Sequence, residues 1–260
     1  MACGTFRYGT QLTPGRGKFL KTDCDIHRLT DMRRWQTIRA SSFGRHLHSQ
    51  PYAAVVLSGG YEEAGDQGRF SVQAGQAIFH DGFEMHSDRF PKPGALILNL
   101  QLQDGWSYKP GVANVADPDS IARVAEKSLA DAAEILILSV SSHKQPSRDW
   151  PDELAAALIR NPSLRLSEWS SERQIAPWAL TRGFASVFGI SPEVFRVRAR
   201  ARRAWNFIRY CRDPLAVIAA GCGFADQSHM TRAVKQLTGK APLQWRTIAN
   251  GFKTKHGRMV

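Results

Sequence analysis

Two different periods of apolar residues divide the chain. In its N-terminal part, short apolar or alternating runs stand between Gly, Asp and Pro turns, which is typical of β-strands. We predict strands at residues 53–59, 69–74, 76–80 and 95–103. Many short strands at this spacing favour a sandwich or a small barrel, and the lack of helical patterns between them argues against a parallel α/β fold.

Beyond these strands the apolar residues follow the period of helices. Asp119 or Ser120 can cap a first helix, and a second helical stretch covers residues 131–140. The polar segment 141–149 contains one proline and is predicted to be a linker. We therefore expect two domains, 1–148 and 149–260, of which the second is entirely helical.

The C-terminal domain carries two helix pairs of similar design. In the first pair, a short helix at 166–172 is followed by a break and by a helix that Pro177 can begin and Gly189 can end. The predicted buried stripe of this second helix consists of Leu180, Phe184 and Val187. The side chains that fall off the stripe, and should point outward, are Trp178, Thr181, Arg182 and Ser186.

In the second pair, a helix at 214–220 and a Gly-rich turn precede a helix that Asp226 can cap and Gly239 can end. Its predicted buried stripe is Met230, Val234 and Leu237, and its outward residues are Gln227, Ser228, His229, Arg232 and Lys235. A helix at 192–211 lies between the pairs and carries a stripe of Phe195, Ala199, Trp205 and Ile208. We expect this helix to hold the two pairs at a fixed separation.

The positive charge of the chain is concentrated in the C-terminal part. The net charge is +12, and from Arg160 onward 18 Lys and Arg residues stand against five Asp and Glu residues. A concentrated positive field favours a polyanion through counterion release. Double-stranded DNA is therefore the expected partner, and the alternative is a basic surface that only keeps the protein in solution.

Residues in both helix pairs match the fixed spacing of a known family signature. They are Ile218, Ala219, Gly223, Phe224, Asp226, Ser228, His229, Arg232, Gly239, Pro242, Trp245 and Arg246 in the second pair, and Leu180, Arg182, Phe184, Gly189, Ser191, Pro192, Phe195, Arg200 and Ala204 in the first. On these residues, the region 149–249 resembles the AraC/XylS family of bacterial transcription regulators. The resemblance implies a sequence-specific DNA-binding protein, not an enzyme, that inserts two recognition helices into successive major-groove segments of a promoter.

The resemblance also implies which side chains reach the DNA: Trp178, Thr181, Arg182, Gln227, Ser228, His229, Arg232 and Lys235. Arginine can pair bidentately with guanine, but Arg182 and Arg232 could instead contact phosphate alone or form a salt bridge that braces the fold. Trp178 could instead belong to the core. Gly183 interrupts the first recognition helix at a cost of about 1 kcal/mol in helix propensity, so we expect the first pair to be the softer one.

In the AraC/XylS family, the N-terminal part is often a cupin-like β-barrel, so we expect an α+β protein with such a barrel and its helices in front of the helical domain. His46, His48 and His86 loosely match the two cupin motifs that bind a metal. No Glu follows His48 at the expected distance, and Asp81 and Phe83 replace the Pro and Gly of the second motif. We therefore expect no cofactor and no metal. The alternative is a metalloenzyme with a DNA-binding tail.

Further partners are expected from the resemblance: a small-molecule effector in the barrel mouth, RNA polymerase if the protein is an activator, and a second copy of the chain. The apolar stretch 135–140 is the predicted dimer interface, with burial against the barrel as the competing explanation. A protein that coats DNA without sequence preference is the remaining alternative. The scattered cysteines and the lack of a signal-peptide pattern or a membrane span favour the cytoplasm.

Overall fold

The computed structural model of the chain describes residues 27–28, 33–103, 106–143, 149–161 and 163–255. Strands occupy its N-terminal part and helices its C-terminal part, so the predicted α+β class is confirmed. Among the described residues, no helix has the length and apolar character needed to cross a membrane.

Ten strands are described, and β6 coincides with its predicted range. They are β1 (His27–Arg28), β2 (Trp35–Ile38), β3 (Ser41–His48), β4 (Tyr52–Gly65), β5 (Gly68–Gln73), β6 (Gln76–His80), β7 (Glu84–Phe90), β8 (Ala95–Gln101), β9 (Gly111–Val115) and β10 (Val140–Ser142). Strand β4 is twice as long as predicted, because it continues past Gly59 into a second ladder.

Strand β4 belongs to two sheets. Its first half pairs with β6 and β8, in the order β2-β8-β4-β6-β9-β10, and its second half pairs with β5 and β7, next to β3 and β1. The strand crosses over after an irregularity between Val56 and Ser58, where Gly59 has a φ of 69° and a Cβ would lie 1.9 Å from the carbonyl oxygen of Gly94. In the described part of the chain the strands do not close into the cupin-like barrel that we expected. They form two sheets that share β4 instead.

Helices α1 and α2 cover one sheet, and seven further helices form the C-terminal part. They are α1 (Pro118–Lys127), α2 (Leu129–Ser139), α3 (Trp150–Arg160), α4 (Leu166–Glu172), α5 (Pro177–Phe188), α6 (Pro192–Tyr210), α7 (Leu215–Gly221), α8 (Gln227–Thr238) and α9 (Pro242–Lys255). Asp117, rather than Asp119 or Ser120, caps α1, because Pro118 takes the first helical position. The predicted linker begins inside a strand, since Ser141 and Ser142 pair with β9, and residues 144–148 lie outside the described residues.

The sheet and the helical part share a common core. Phe83, in the turn between β6 and β7, packs edge-on against Trp205 and Trp245 with ring centroids 5.0 and 5.6 Å apart. Phe83 is 4% exposed although its φ is 60°, a left-handed conformation that is rare for an aromatic residue. On the other side, Arg69 of β5 pairs with Asp149 and Asp152 at the start of α3.

Candidate nucleic-acid interface

Helix α5 is built as the sequence predicts at both ends. Pro177 begins it, and Gly189 ends it in the left-handed conformation with a φ of 71°. The buried stripe is Leu180, Phe184 and Phe188, whereas the predicted Val187 is only partly buried. Phe188 lies deeper because its ring stacks on Phe184, with centroids 4.6 Å apart, and also contacts Phe195 of α6.

The outward face of α5 carries the three side chains of this helix that we predicted to contact DNA. Trp178 is 71% exposed, which excludes the alternative that it belongs to the core. Thr181 and Arg182 are also exposed. The Thr181 hydroxyl donates a hydrogen bond of 3.2 Å to the carbonyl of Pro177, so its lone pairs remain turned toward solvent.

Helix α8 begins at the predicted cap. The Asp226 carboxylate accepts a hydrogen bond of 2.6 Å from the His229 backbone N–H, and Gly239 ends the helix with a φ of 79°. The stripe of Met230, Val234 and Leu237 is buried as predicted. Among the outward residues, four are exposed: Gln227, Ser228, Arg232 and Lys235.

His229 differs from the other predicted contact residues, because it is only half exposed. Its ring lies edge-on against Phe224, with centroids 5.2 Å apart. One side of the imidazole is therefore occupied by packing, and a contact with DNA would use the other.

The guanidinium groups of Arg182 and Arg232 have no carboxylate partner among the described residues. Within the ranges that the structure describes, neither forms a salt bridge, so the bracing alternative has no support there. Both charges face solvent on helices whose opposite faces are buried. The DNA contacts of the eight residues remain a prediction, with which this exposure agrees.

Helix α6 packs against both helix pairs. Phe195 contacts Phe184 of the first pair, with ring centroids 5.3 Å apart, while Ala204 and Ile208 share a buried cluster with Met230 and Val234 of the second. Ser191 caps this helix by accepting from the Val194 N–H. Because both pairs share apolar cores with a single helix, their separation is fixed by packing, as we predicted.

Gly183 has a packing role that the helix pattern does not reveal. A Cβ at this position would lie 2.5 Å from Cζ2 of Trp150, so the α3 tryptophan occupies the space of the missing side chain. The low helix propensity of Gly183 is therefore offset by the close contact between α3 and α5 that its missing side chain allows. The expectation that Gly183 makes the first pair softer has no support in this arrangement.

The three histidines of the cupin-like pattern come together inside the N-terminal sheet. One ligand atom from each of His46, His48 and His86 lies within 4.8 Å of the others, and Glu63, His80 and His86 form a second such group. Sequence reasoning missed Glu63 and His80. Their signal is weak, since they lie on different strands. The alternation of Glu84, His86 and Asp88 puts polar residues on one face of β7, a strand that we did not predict.

The electrostatics of this cluster separate its histidines. Burial, followed by the neighbouring charges of His46 and His80, lowers the pKa of His48 to about 3. Burial also lowers the pKa of His86. Burial alone would lower the pKa of His80 as well, but the carboxylates of Glu63 and Glu84 raise it to about 10. The neutral imidazoles of His48 and His86 are in the form that binds metal ions.

Comparison with known families identifies the helical part. Residues 169–248 match the family model of a helix-turn-helix domain, which spans α4 to α9 and includes all eight predicted DNA-contacting residues. A search of curated proteins found no match.

Several solved structures are similar to this chain at low identity. A probable AraC family transcriptional regulator from Rhodopseudomonas palustris CGA009 aligns with 20% identity over 37% of this chain and 93% of its own, with a TM-score of 0.35. Unsaturated fatty acid bound ToxT from Vibrio cholerae aligns with 10% identity over 84% and 94%, with a TM-score of 0.41. The DNA-binding domain of AdpA, in complex with a target DNA, aligns with 16% identity over 42% and 100%, with a TM-score of 0.39.

Proposed function

Because residues 169–248 of this chain form a helix-turn-helix domain of the AraC type, we propose that the protein is a sequence-specific transcription regulator that binds double-stranded DNA through α5 and α8. The observation that carries the proposal is the repeated geometry of these two helices. Each is anchored by a buried apolar stripe and exposes an arginine, Arg182 in one and Arg232 in the other, that meets no carboxylate in the described part of the chain.

An α-helix fits the major groove, and side chains near its N-terminal end reach the base edges. Trp178, Thr181 and Arg182 occupy the first turns of α5, and Gln227, Ser228 and Arg232 those of α8. Arginine discriminates guanine by a bidentate pair, the tryptophan ring can contact a thymine methyl group, and Lys235 adds a phosphate contact. Held at a fixed separation by α6, the two helices enter successive groove segments of one site.

The test is selection of bound sequences from a random pool of double-stranded DNA by the full-length protein. We expect a motif of two boxes whose centres lie about 10 bp apart, one turn of the double helix. The double variant with Arg182→Ala and Arg232→Ala should lose the motif. Recovery of no motif by the wild-type chain would instead support a protein that coats DNA without sequence preference.

The N-terminal region has a sensing role in this proposal rather than a catalytic one. The effector was expected in a barrel mouth, but the described strands form no closed barrel, so the sensing role is assigned to the sheet-rich region as a whole. Signals from this region reach the DNA-binding helices through the buried contacts of Phe83 with Trp205 and Trp245. The regulator acts in the cytoplasm, and RNA polymerase is a further partner if it activates transcription.

The full chain forms a homodimer through α2 in this proposal. Leu136 is buried against the sheet, which accounts for part of the apolar stretch, but Ile135 is 41% and Leu138 80% exposed. These two side chains lie on adjoining positions of the outer helix face, and Leu129 adds further exposed apolar surface. A second copy that covers this face would bring four helix-turn-helix units to one DNA site and raise the affinity through effective concentration.

A further inference from the structure

The strand register of the N-terminal sheet concentrates ionisable side chains on its inner face. Strand β3 pairs with β7 so that His46 is opposite His86 and His48 is opposite Glu84. Strand β4 pairs with the other edge of β7, where Glu63 is opposite Asp88. Because side chains alternate along a strand, Glu84, His86 and Asp88 all point to this face.

A carboxyl group on β7 lies beside two of the histidines. Oδ2 of Asp88 is 3.8 Å from Nε2 of His46 and 3.8 Å from Nε2 of His86. Asp88 Oδ1 is buried and has no hydrogen-bond partner within the described part of the chain. The carboxyl group that the sequence motif fails to supply from β3 is therefore supplied by β7.

The ring of His46 has the supporting hydrogen bond that is usual for a metal-binding histidine. Nδ1 of His46 is 2.9 Å from the carbonyl oxygen of Gly44, to which it can only donate, so a metal ion would be bound through Nε2 of this ring. A hydrogen bond from the distal ring nitrogen to a backbone carbonyl is the usual support of a metal-binding histidine. In His86, Nδ1 is buried without a hydrogen-bond partner among the described residues, whereas Nε2 lies 3.3 Å from the Tyr52 hydroxyl, which an ion at this nitrogen would displace.

Space and access are also present. Gly65 is opposite His86 in the β4–β7 ladder, and a Cβ there would lie 3.1 Å from the Cβ of His86, so the glycine leaves room for the ring. His46 and His86 are buried, whereas His48 is partly exposed and opens the cluster to solvent. An ion at metal–nitrogen distances of about 2.0–2.1 Å would draw the ligand atoms inward by about 1 Å, which rotation of side chains can provide.

We propose that His46, His48 and His86, together with Asp88, bind a divalent transition-metal ion, and that this ion is the effector sensed by the N-terminal region. Three imidazoles and one carboxylate suit the borderline divalent ions such as Zn²⁺, Ni²⁺ and Co²⁺ better than Mg²⁺ or Ca²⁺, which take oxygen ligands. The second part of the proposal rests on the proposed function, because an effector requires a DNA-binding output.

A chain of charged groups connects this site to the DNA-binding part. His80 lies beside His86, with ring centroids 4.7 Å apart, and its Nδ1 is 3.6 Å from Oε1 of Glu84. Oε2 of Glu84 is 3.7 Å from Nη2 of Arg202 on α6. An ion that moves His86 therefore displaces groups one contact away from the helix that holds both recognition helices.

The test of the site is titration of the chelator-stripped, full-length protein with Co²⁺, followed by Zn²⁺ competition. We expect one Co²⁺ per chain, with a visible d–d absorption that Zn²⁺ abolishes. His48→Ala should weaken Zn²⁺ binding by about 100-fold or more, and Asp88→Asn should weaken it as well. His143→Ala is the matched control, because His143 contacts Gln76 and Asn114 outside the cluster, and it should bind as the wild type does.

His48 is the variant of choice because its partial exposure makes the substitution least harmful to folding. The melting temperatures of the metal-free variants give a second readout: Zn²⁺ should raise that of the wild type and of His143→Ala, but not that of His48→Ala. Substoichiometric binding by the wild type, or equal affinities for His48→Ala and His143→Ala, would refute the site.

The effector role is tested by DNA affinity in the metal-free and Zn²⁺-loaded states. We expect a change of about fivefold or more on a selected DNA sequence, and no change in His48→Ala. If the ion binds with one equivalent but leaves DNA affinity unchanged, the effector role is wrong and the site stands. If neither state binds any selected DNA, the proposed function itself fails, while the Co²⁺ titration still decides the site.

Discussion

Arg202 of α6 and Glu84 of β7 face each other across the boundary between the helical part and the sheet, with Nη2 of the arginine 3.7 Å from Oε2 of the glutamate. Both are buried, and Arg202 also lies 3.5 Å from Asp81. Burial would raise the pKa of Glu84, but His80 and Arg202 outweigh it and hold this pKa below its ordinary value. The charged pair is therefore part of the junction between the two regions.

Arg202→Met should destabilise the full-length protein by about 3 kcal/mol, since it removes the arginine of a buried pair and leaves Glu84 with only His80 and the backbone N–H of Asp81 among the described residues. The measurement is urea denaturation followed by tryptophan fluorescence. Arg203→Ala is the control, because the neighbouring Arg203 is exposed on the same helix and should change stability by less than about 0.5 kcal/mol. Equal effects of the two substitutions would contradict a role for the pair at the junction.

Gly183→Ala should destabilise the protein by about 1–3 kcal/mol, although alanine is the better helix former by about 1 kcal/mol. The new Cβ would meet Trp150 at 2.5 Å. In the background of Trp150→Ala the same substitution should cost much less, which a double-mutant cycle in urea measures. Gly221→Ala is the helical control: nothing lies within 4 Å of its added Cβ, so it should be neutral or stabilising. A stabilising effect of Gly183→Ala would show that Trp150 yields freely.

Arg232→Ala and Lys235→Ala should affect DNA binding in different ways. Loss of a bidentate contact should cost about 1–3 kcal/mol and relax the base preference at one position of the site. Loss of a phosphate contact should weaken binding to all sequences alike. It should also reduce the number of counterions released on binding by about one, which appears as a smaller slope of log affinity against log salt concentration. Fluorescence anisotropy on a set of single-base variants, at several salt concentrations, distinguishes the two. A uniform loss in Arg232→Ala would mean that this side chain touches phosphate alone.

Leu138→Asp should dissociate the dimer proposed for the full chain, because Leu138 is 80% exposed on α2 and would be covered by the second copy. Leu243→Asp serves as its counterpart in the helical part, where Leu243 is 66% exposed, and should leave the dimer intact. Sedimentation at micromolar concentration reports both. A wild-type chain that sediments at its monomer mass of 29.0 kDa would remove the basis for an interface on α2.

The sequence by itself determined the two helix-turn-helix units. Their ends depend on single residues that act within one turn: Pro177 and Asp226 at the starts, Gly189 and Gly239 in left-handed conformations at the ends. Their faces depend on the period of apolar residues, so the exposure of Trp178 and the burial of Met230 could be predicted from spacing alone. The match of residues 169–248 to a helix-turn-helix family confirms the prediction of a helix-turn-helix domain.

Only the tertiary structure decided which distant residues meet. Whether Gly183 is a weak point or a contact with Trp150 depends on how α3 crosses α5, and no local pattern contains that crossing. Likewise, Asp88 joins His46 because β3 and β4 flank β7 in one particular register. Helical caps and stripes are set by interactions within about four residues, whereas strand register and helix crossing are set by the packing of the whole chain, and a shift of one residue would turn the inner face of β7 outward.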